Sequence, residues 1–134
     1  MKKLLSLALA SFVMLTGCFK SSETLVGKEY KLSGTEQNIT IAFSAQDGRY
    51  FGQSAVNRYF GTYKIEDNKL VLSPAASTMM AGPQEAMKAE QEYLQNLAKV
   101  STFRLNGKKL ILNLGENQDL IFDEIGLVKE EAKK

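Results

Sequence analysis

Through most of the chain, apolar residues recur at every second position between turn signals, the pattern of half-buried β-strands. Val26 to Ser33 carries Tyr30 and Leu32 in rough alternation, and Ile39, Ile41 and Phe43 alternate with Asn38, Thr40, Ala42 and Ser44. Asp47-Gly48 predicts a hairpin turn, since these residues tolerate the left-handed backbone that such turns need, and Arg49 to Ala55 returns with Tyr50 and Phe51. After Asn57-Arg58, Tyr59 to Glu66 reads as a strand with Tyr63 and Ile65 on one face, and Asp67-Asn68 turns it into Lys69 to Leu72. Ser73 to Gly82 reads as a loop of small residues. Pro83 then suits the first position of a helix, where its missing N–H would be unpaired in any case. From Gln84 to Lys99, Met87, Leu94, Leu97 and Ala98 fall at helical spacing and predict one inward face, interrupted by Gln91. Strands resume at Thr102 to Leu105, turn at Asn106-Gly107, return through Leu110 to Leu112, and turn over Gly115 to Asn117 into Leu120 to Phe122. Ile125 to Lys134 is increasingly charged and is expected to fray. Strands, one helix, then strands again predict an α+β fold: an antiparallel β-sheet curled into an open barrel, with one main α-helix inserted between hairpins.

The first residues follow a different pattern. Lys2 and Lys3 precede an apolar stretch from Leu4 to Leu15, too short for the roughly 20 apolar residues of a membrane-spanning helix and matching an export signal. It ends in Leu15-Thr16-Gly17-Cys18, which resembles a bacterial lipobox and implies cleavage before Cys18, lipid on its thiol and acylation of the new amino terminus. Several acyl chains hold a protein to a bilayer effectively permanently, whereas one is marginal. Phe19, in place of an acidic residue, resembles the pattern forwarded to the outer membrane of a Gram-negative cell, facing the periplasm. The expected organisation is a signal peptide over 1–17, a lipidated tether over 18–24, one domain over 25–123 and a charged tail over 124–134.

Removing residues 1–17 from the 134 leaves 117, enough for a single core. Lys2 and Lys3 are two of the 17 basic residues, so the remainder sets 15 basic against 15 acidic and is neutral. Such a chain lacks the basic footprint that binds nucleic acid. It has no histidine, and Cys18 is its only cysteine. Histidine-based triads, thiol nucleophiles and zinc sites of His or Cys are thereby excluded from the domain. Carboxylate chemistry survives, but Glu66, Asp67, Glu116, Asp119 and Asp123 fall in turns and strand ends without a fixed spacing. No enzyme activity, metal or cofactor is expected.

Three stretches, in order and spacing, resemble the META domain, also called the HslJ-like family: Asn57-Arg58-Tyr59-Phe60-Gly61-Thr62-Tyr63; then Lys69-Leu70 followed by Ala76-Ser77-Thr78-Met79-Met80-Ala81; then a helix bearing Glu90 and Tyr93-Leu94. The resemblance spans about Leu25 to Phe122 and implies an envelope setting, heat response and, in some relatives, altered novobiocin sensitivity. It implies no reaction. Family members often carry a cysteine just before the first motif and another just after the second, where this chain has Val56 and Gly82. Their joint absence is what pairing of the two in relatives would produce.

Two clusters are candidates for binding. Asn57, Arg58 and Tyr59 set a turn-forming residue beside a guanidinium and a ring, able to read a carboxylate, sugar or peptide, or else simply to shape a turn and pack. Ser77, Thr78, Met79 and Met80 precede the helix, where hydroxyls and free N–H groups could hold an anion and methionines an apolar partner, or else cap the helix and seal the core edge. The expected function is a monomeric, non-enzymatic envelope lipoprotein, anchored to the membrane through Cys18, that binds an envelope protein, a peptide or a small apolar ligand under stress. The alternatives are a pilot lipoprotein for an outer-membrane component and an inhibitor of a secreted protease or lysozyme.

Overall fold

A computed structural model describes residues 24–128, so the expected signal peptide, Cys18, residues 18–23 of the tether and residues 129–134 of the tail lie outside the described residues. The alternating segments form β1 (Lys28–Leu32), β2 (Thr40–Phe43), β3 (Arg49–Gln53), β4 (Arg58–Glu66), β5 (Lys69–Leu72), a two-residue β6 (Ala76–Ser77), α1 (Gln84–Leu97), β7 (Thr102–Asn106), β8 (Lys109–Gly115) and β9 (Gln118–Leu127). Following the pairings from β1 through β2, β3, β4, β5, β7, β8 and β9 returns to β1, so eight antiparallel strands close into a barrel. The α+β architecture with one helix between hairpins is as the pattern predicts. Closure goes further than the expected open barrel: five residue pairs from Arg49↔Thr62 to Gln53↔Arg58 join the two early hairpins and remove the exposed strand edges.

Three details depart from the sequence pattern. Residues 73–82 are not all loop, because β5 leaves β4 after Tyr63↔Leu72 and Ala76–Ser77 takes the vacated edge against Phe60 and Tyr59. The final strand continues to Leu127, past the expected start of a charged tail at 124, because β1 begins at Lys28 and Leu127 is its partner there. On α1, Met87 and Ala98 face solvent, and the buried stripe is Ala86, Glu90, Tyr93 and Leu97. Hydropathy hid this stripe because a carboxylate occupies its centre.

Alternate residues from every long strand fill the interior, among them Tyr30, Ile41, Phe43, Tyr50, Tyr59, Leu70, Leu110, Leu112 and Phe122, and α1 adds Tyr93 and Leu97. Each fully buried large side chain stabilises by about 1.5–3 kcal/mol. All five tyrosines point into this core, and most of their hydroxyls end on backbone carbonyls: Tyr50 on Ser73 at 2.6 Å, Tyr59 on Thr40 at 2.6 Å and Tyr63 on Ser44 at 2.7 Å. Tyr93 meets the Tyr59 hydroxyl at 2.6 Å, and the two rings meet edge to face. Burial pushes the Tyr50 hydroxyl up to about 12 and raises those of Tyr30, Tyr59 and Tyr93, so these groups stay neutral.

The helix covers one end of the barrel. Ala89 and Tyr93 share a cleft with Leu32, Ile39 and Leu120, where β1 ends and β2 and β9 begin. On its other flank Leu94 and Leu97 face Leu72 and Ser73 at the end of β5.

Gly52 makes the Thr40 to Tyr59 bond possible, since a Cβ there would lie 2.1 Å from the Thr40 carbonyl oxygen and 3.1 Å from the Tyr59 hydroxyl. Gly52→Ala is therefore expected to destabilise the domain by about 3 kcal/mol or more, lowering the melting temperature by roughly 10–20 °C. Thermal unfolding followed by circular dichroism measures it; a variant melting within a degree or two of the parent would contradict this account of the close approach.

Candidate functional site

The chain turns from β3 into β4 over Ser54 to Asn57, a corner without a glycine. Ala55 takes a left-handed φ of 85° there, a conformation that costs a non-glycine residue about 1–2 kcal/mol. Its N–H bonds to Asn38 O at 3.1 Å, and the Ser54 N–H closes the corner on Asn57 O at 2.7 Å. What holds this backbone is a carboxylate from the middle of the helix. Glu90 Oε1 accepts from the Asn57 N–H (2.8 Å), the Ser54 hydroxyl (3.0 Å) and the Val56 N–H (3.1 Å), while Oε2 accepts from Asn57 Nδ2 (2.7 Å).

Glu90 is buried, and no ion pair among the described residues involves it. Burial pushes its pKa up, but the hydrogen bonds from the Asn57 side chain and N–H, the Ser54 hydroxyl and the Val56 N–H outweigh that and hold it below the ordinary glutamate range. Both oxygens are thus engaged in holding the corner. Proton transfer by Glu90 would release several of these bonds at once, so its arrangement is that of a structural anion.

Asn57 carries the network onward. Its Oδ1 accepts from the Met80 N–H (2.6 Å) and the Thr78 hydroxyl (2.8 Å), and its Nδ2 also donates to Met80 O (3.2 Å). The two donors on one side and the two acceptors on the other fix the orientation of the amide. Thr78 binds Arg58 as well, its N–H to Arg58 O at 3.0 Å and its hydroxyl to the Arg58 N–H at 3.2 Å.

Of the residues singled out from the sequence, six therefore meet: Asn57, Arg58, Tyr59, Ser77, Thr78 and Met80 converge where β4, β6 and the approach to α1 come together. Their polar groups are largely turned inward. The hydroxyl of Thr78 and the N–H of Met80, which an anion would need, bind Asn57, and the helix has no side-chain cap at Pro83. Tyr59 is buried in the core. Met79 projects outward at 91% exposure and Met80 at 60%. Sequence reasoning missed Ser54 and Glu90 as members of this network. The available signal was the position of Glu90 itself, four residues after Ala86 and three before Tyr93 on what proves to be the buried stripe.

The accessible chemistry lies on the outer face of β3 and β4. Phe51 and Phe60 are cross-strand partners, and the Arg49 guanidinium carbon sits 5.1 Å from the centre of the half-exposed Phe60 ring, a cation–π contact. Arg58 lies two residues before Phe60 on the same strand face, and Met79 and Met80 follow β6 alongside. Two narrow clefts flanking α1 measure about 140 and 150 Å³, below the roughly 300 Å³ at which pockets for drug-sized ligands begin, whereas a wider, open depression of about 840 Å³ runs along the helix itself between Gln84 and Leu94, lined by Met87, Lys88, Glu90 and Gln91. The carboxylates do not gather: Asp123 pairs with Lys109, Asp119 accepts from Asn113, and Glu66, Asp67 and Glu116 sit at hairpin turns. No cluster of three or more His, Cys, Asp or Glu suited to a metal occurs among the described residues.

The family model for the META domain matches residues 16–125. No curated protein matches the chain. Among solved structures, a protein from Burkholderia xenovorans determined by NMR is similar at a TM-score of 0.65 and 24% identity, covering 90% of this chain and 99% of that one. A second protein determined by NMR reaches 0.56 at 18% identity over 72% of this chain and 88% of that one. A DUF4847 family protein from Bacteroides vulgatus reaches 0.50 at 18% identity over 63% and 57%. At these identities the likeness is one of fold.

Two expected outcomes follow from the corner. Because folding lowers the Glu90 pKa, its stabilisation is complete above the unfolded value and drains away as pH falls through the ordinary 4.5 toward the depressed folded value. Glu90→Gln places an NH₂ among donors and should lose about 1.5–3 kcal/mol at pH 7, with the gap to the parent narrowing below that range. Urea unfolding at a series of pH values measures this, and a gap independent of pH would refute the assignment. Secondly, a Cβ built on Gly82 falls 3.6 Å from Val56 Cβ, within the roughly 3.5–4.5 Å of a disulfide. Val56→Cys with Gly82→Cys, in a Cys18→Ser background, should oxidise readily and gain about 3 kcal/mol that reduction removes; thiol titration and unfolding in both redox states would show whether it does.

Proposed function

The chain belongs to the META domain family, and on that premise we propose that it is a lipid-anchored protein of the bacterial envelope, facing the periplasm from the outer membrane, whose barrel binds another envelope component and supports the envelope under heat or antibiotic stress. The observation that carries the binding role is the division of labour around the β3–β4 corner. The polar groups of Asn57, Thr78 and Glu90 are committed internally, whereas Arg49, Arg58, Phe60, Met79 and Met80 are left on one accessible face. Aromatic rings, arginines and methionines are the side chains that protein interfaces favour. The dispersed carboxylates support binding over catalysis.

The envelope setting is supported by Lys2-Lys3, the short apolar stretch and Leu15-Thr16-Gly17-Cys18. No helix among the described residues is long and apolar enough to cross a membrane, and the attachment proposed is through an acylated Cys18.

Intact mass measurement on protein extracted from separated membranes should find a triacylated Cys18 in the outer-membrane fraction, and Cys18→Ser should abolish it. A photocrosslinker at Phe60 should trap one recurring envelope protein, more strongly after heat stress. A lipidated protein that traps none from this face would overturn the binding role, and an unlipidated soluble one would overturn the anchor.

A further inference from the structure

Resting on the anchor at Cys18, we infer that the barrel end remote from α1 sits on the bilayer surface, with Ile125 and Leu127 entering the headgroup region. Five residues separate Cys18 from Thr24, and the six steps between them, at about 3.3–3.6 Å each, reach at most about 20 Å. The point where they join the domain is fixed. Leu25 is fully buried in the core, the Gly27 N–H bonds to Phe43 O at 2.7 Å, and Gly27 O accepts from the Val128 N–H at 2.9 Å.

That point lies at the end of β1 remote from the helix, since α1 covers the other end around Leu32. β1 rises about 13 Å from Lys28 to Leu32 at roughly 3.3 Å per residue, and α1 adds a layer about 10 Å thick beyond it. Seating the helix end on the membrane would require about 23 Å of tether, past its full extension of about 20 Å, whereas the end remote from α1 reaches the bilayer with the tether slack.

The side chains at the tethered end suit this placement. Leu127, opposite Lys28 in the β1–β9 register, is 71% exposed, and Ile125 is 51% exposed. Two aliphatic groups thus stand in solvent beside the one place where a bilayer is held within reach. Beside these two residues Glu124 pairs with Lys28 at 3.7 Å and Asp123 with Lys109, and Lys108, whose carbonyl accepts from the Glu124 N–H, has a cationic side chain compatible with anionic headgroups; Asp47, Glu66 and Asp67 lie at the β2–β3 and β4–β5 turns of the same end, so contact is directed to the β1–β9 side. In this orientation α1 and the corner held by Glu90 point away from the membrane, and the Arg49–Phe60 face stands at its side.

The test uses full-length lipidated protein in vesicles of phosphatidylethanolamine and phosphatidylglycerol. With Cys18 acylated, Ile125→Cys, Leu127→Cys or Met87→Cys supplies a single free thiol for an environment-sensitive fluorophore. Labels at 125 and 127 are expected to shift to the blue and lose emission when brominated lipid is included, and the label at 87 on the helix to do neither. Quenching at 87 in place of 125 and 127, or water-like emission at all three, would overturn the orientation while an intact mass showing acylated Cys18 left the anchor standing. A blue shift at 125 and 127 insensitive to brominated lipid would place another protein on this end and overturn it too. An intact mass without acyl chains would remove anchor and orientation together.

Discussion

One buried negative charge organises the molecule. An unpaired carboxylate in an apolar interior costs several kcal/mol, and Glu90 avoids that cost only by gathering donors from a loop more than thirty residues away. The bonds it accepts set the shape of residues 54–57, and that shape sends β4 back alongside β3 to close the barrel. Asn57, oriented by the same carboxylate, then fixes residues 78–80. Helix docking, corner formation and placement of the second motif are therefore one event: none is satisfied without the others, and a half-formed version would leave either the charge or the loop N–H groups without partners.

The core beneath follows a related logic. A small barrel needs large side chains to fill it, and carbonyls near its strand ends can accept a bond from a side chain. Tyrosine serves both, with a ring for bulk and a hydroxyl to donate. Tyr50, Tyr59 and Tyr63 each end on such a carbonyl, and Tyr93 brings the helix into the same arrangement. Glycines at 52 and 61 give the room that these rings and acceptors occupy.

How far the fold could be read beforehand depended on whether the deciding interactions were local. Asp47-Gly48 and Asn106-Gly107 mark real hairpins, and Gly48 and Gly107 take the left-handed φ values, 66° and 65°, that their turns require. The helix announces itself from Pro83 onward. The pairing of β3 with β4 was not legible, because the corner between them lacks a hairpin dipeptide and is shaped by Glu90. The buried stripe of α1 was hidden for the same reason, since a hydropathy pattern assigns a carboxylate to solvent unless its partners are known. Residues 76–77 became a strand only because β5 leaves part of β4 unpaired, a fact of three-dimensional geometry. The two binding motifs were visible as motifs, but which of their side chains turn inward was decided by donors and acceptors elsewhere in the chain.

The pairing of β1 with β9 joins the first strand to the last, from Lys28↔Leu127 to Leu32↔Phe122. Drawing together segments so far apart carries a loop-closure entropy that only the completed chain can repay. A polypeptide delivered amino terminus first, from a ribosome or through any narrow channel, cannot complete this barrel until its final strand emerges. Until then β1 keeps one unpaired edge and β8 another, both open to pairing with foreign strands. The order in which the chain arrives thus sets an obligatory waiting period, during which the nascent protein is vulnerable to misassembly although its early hairpins have already been made.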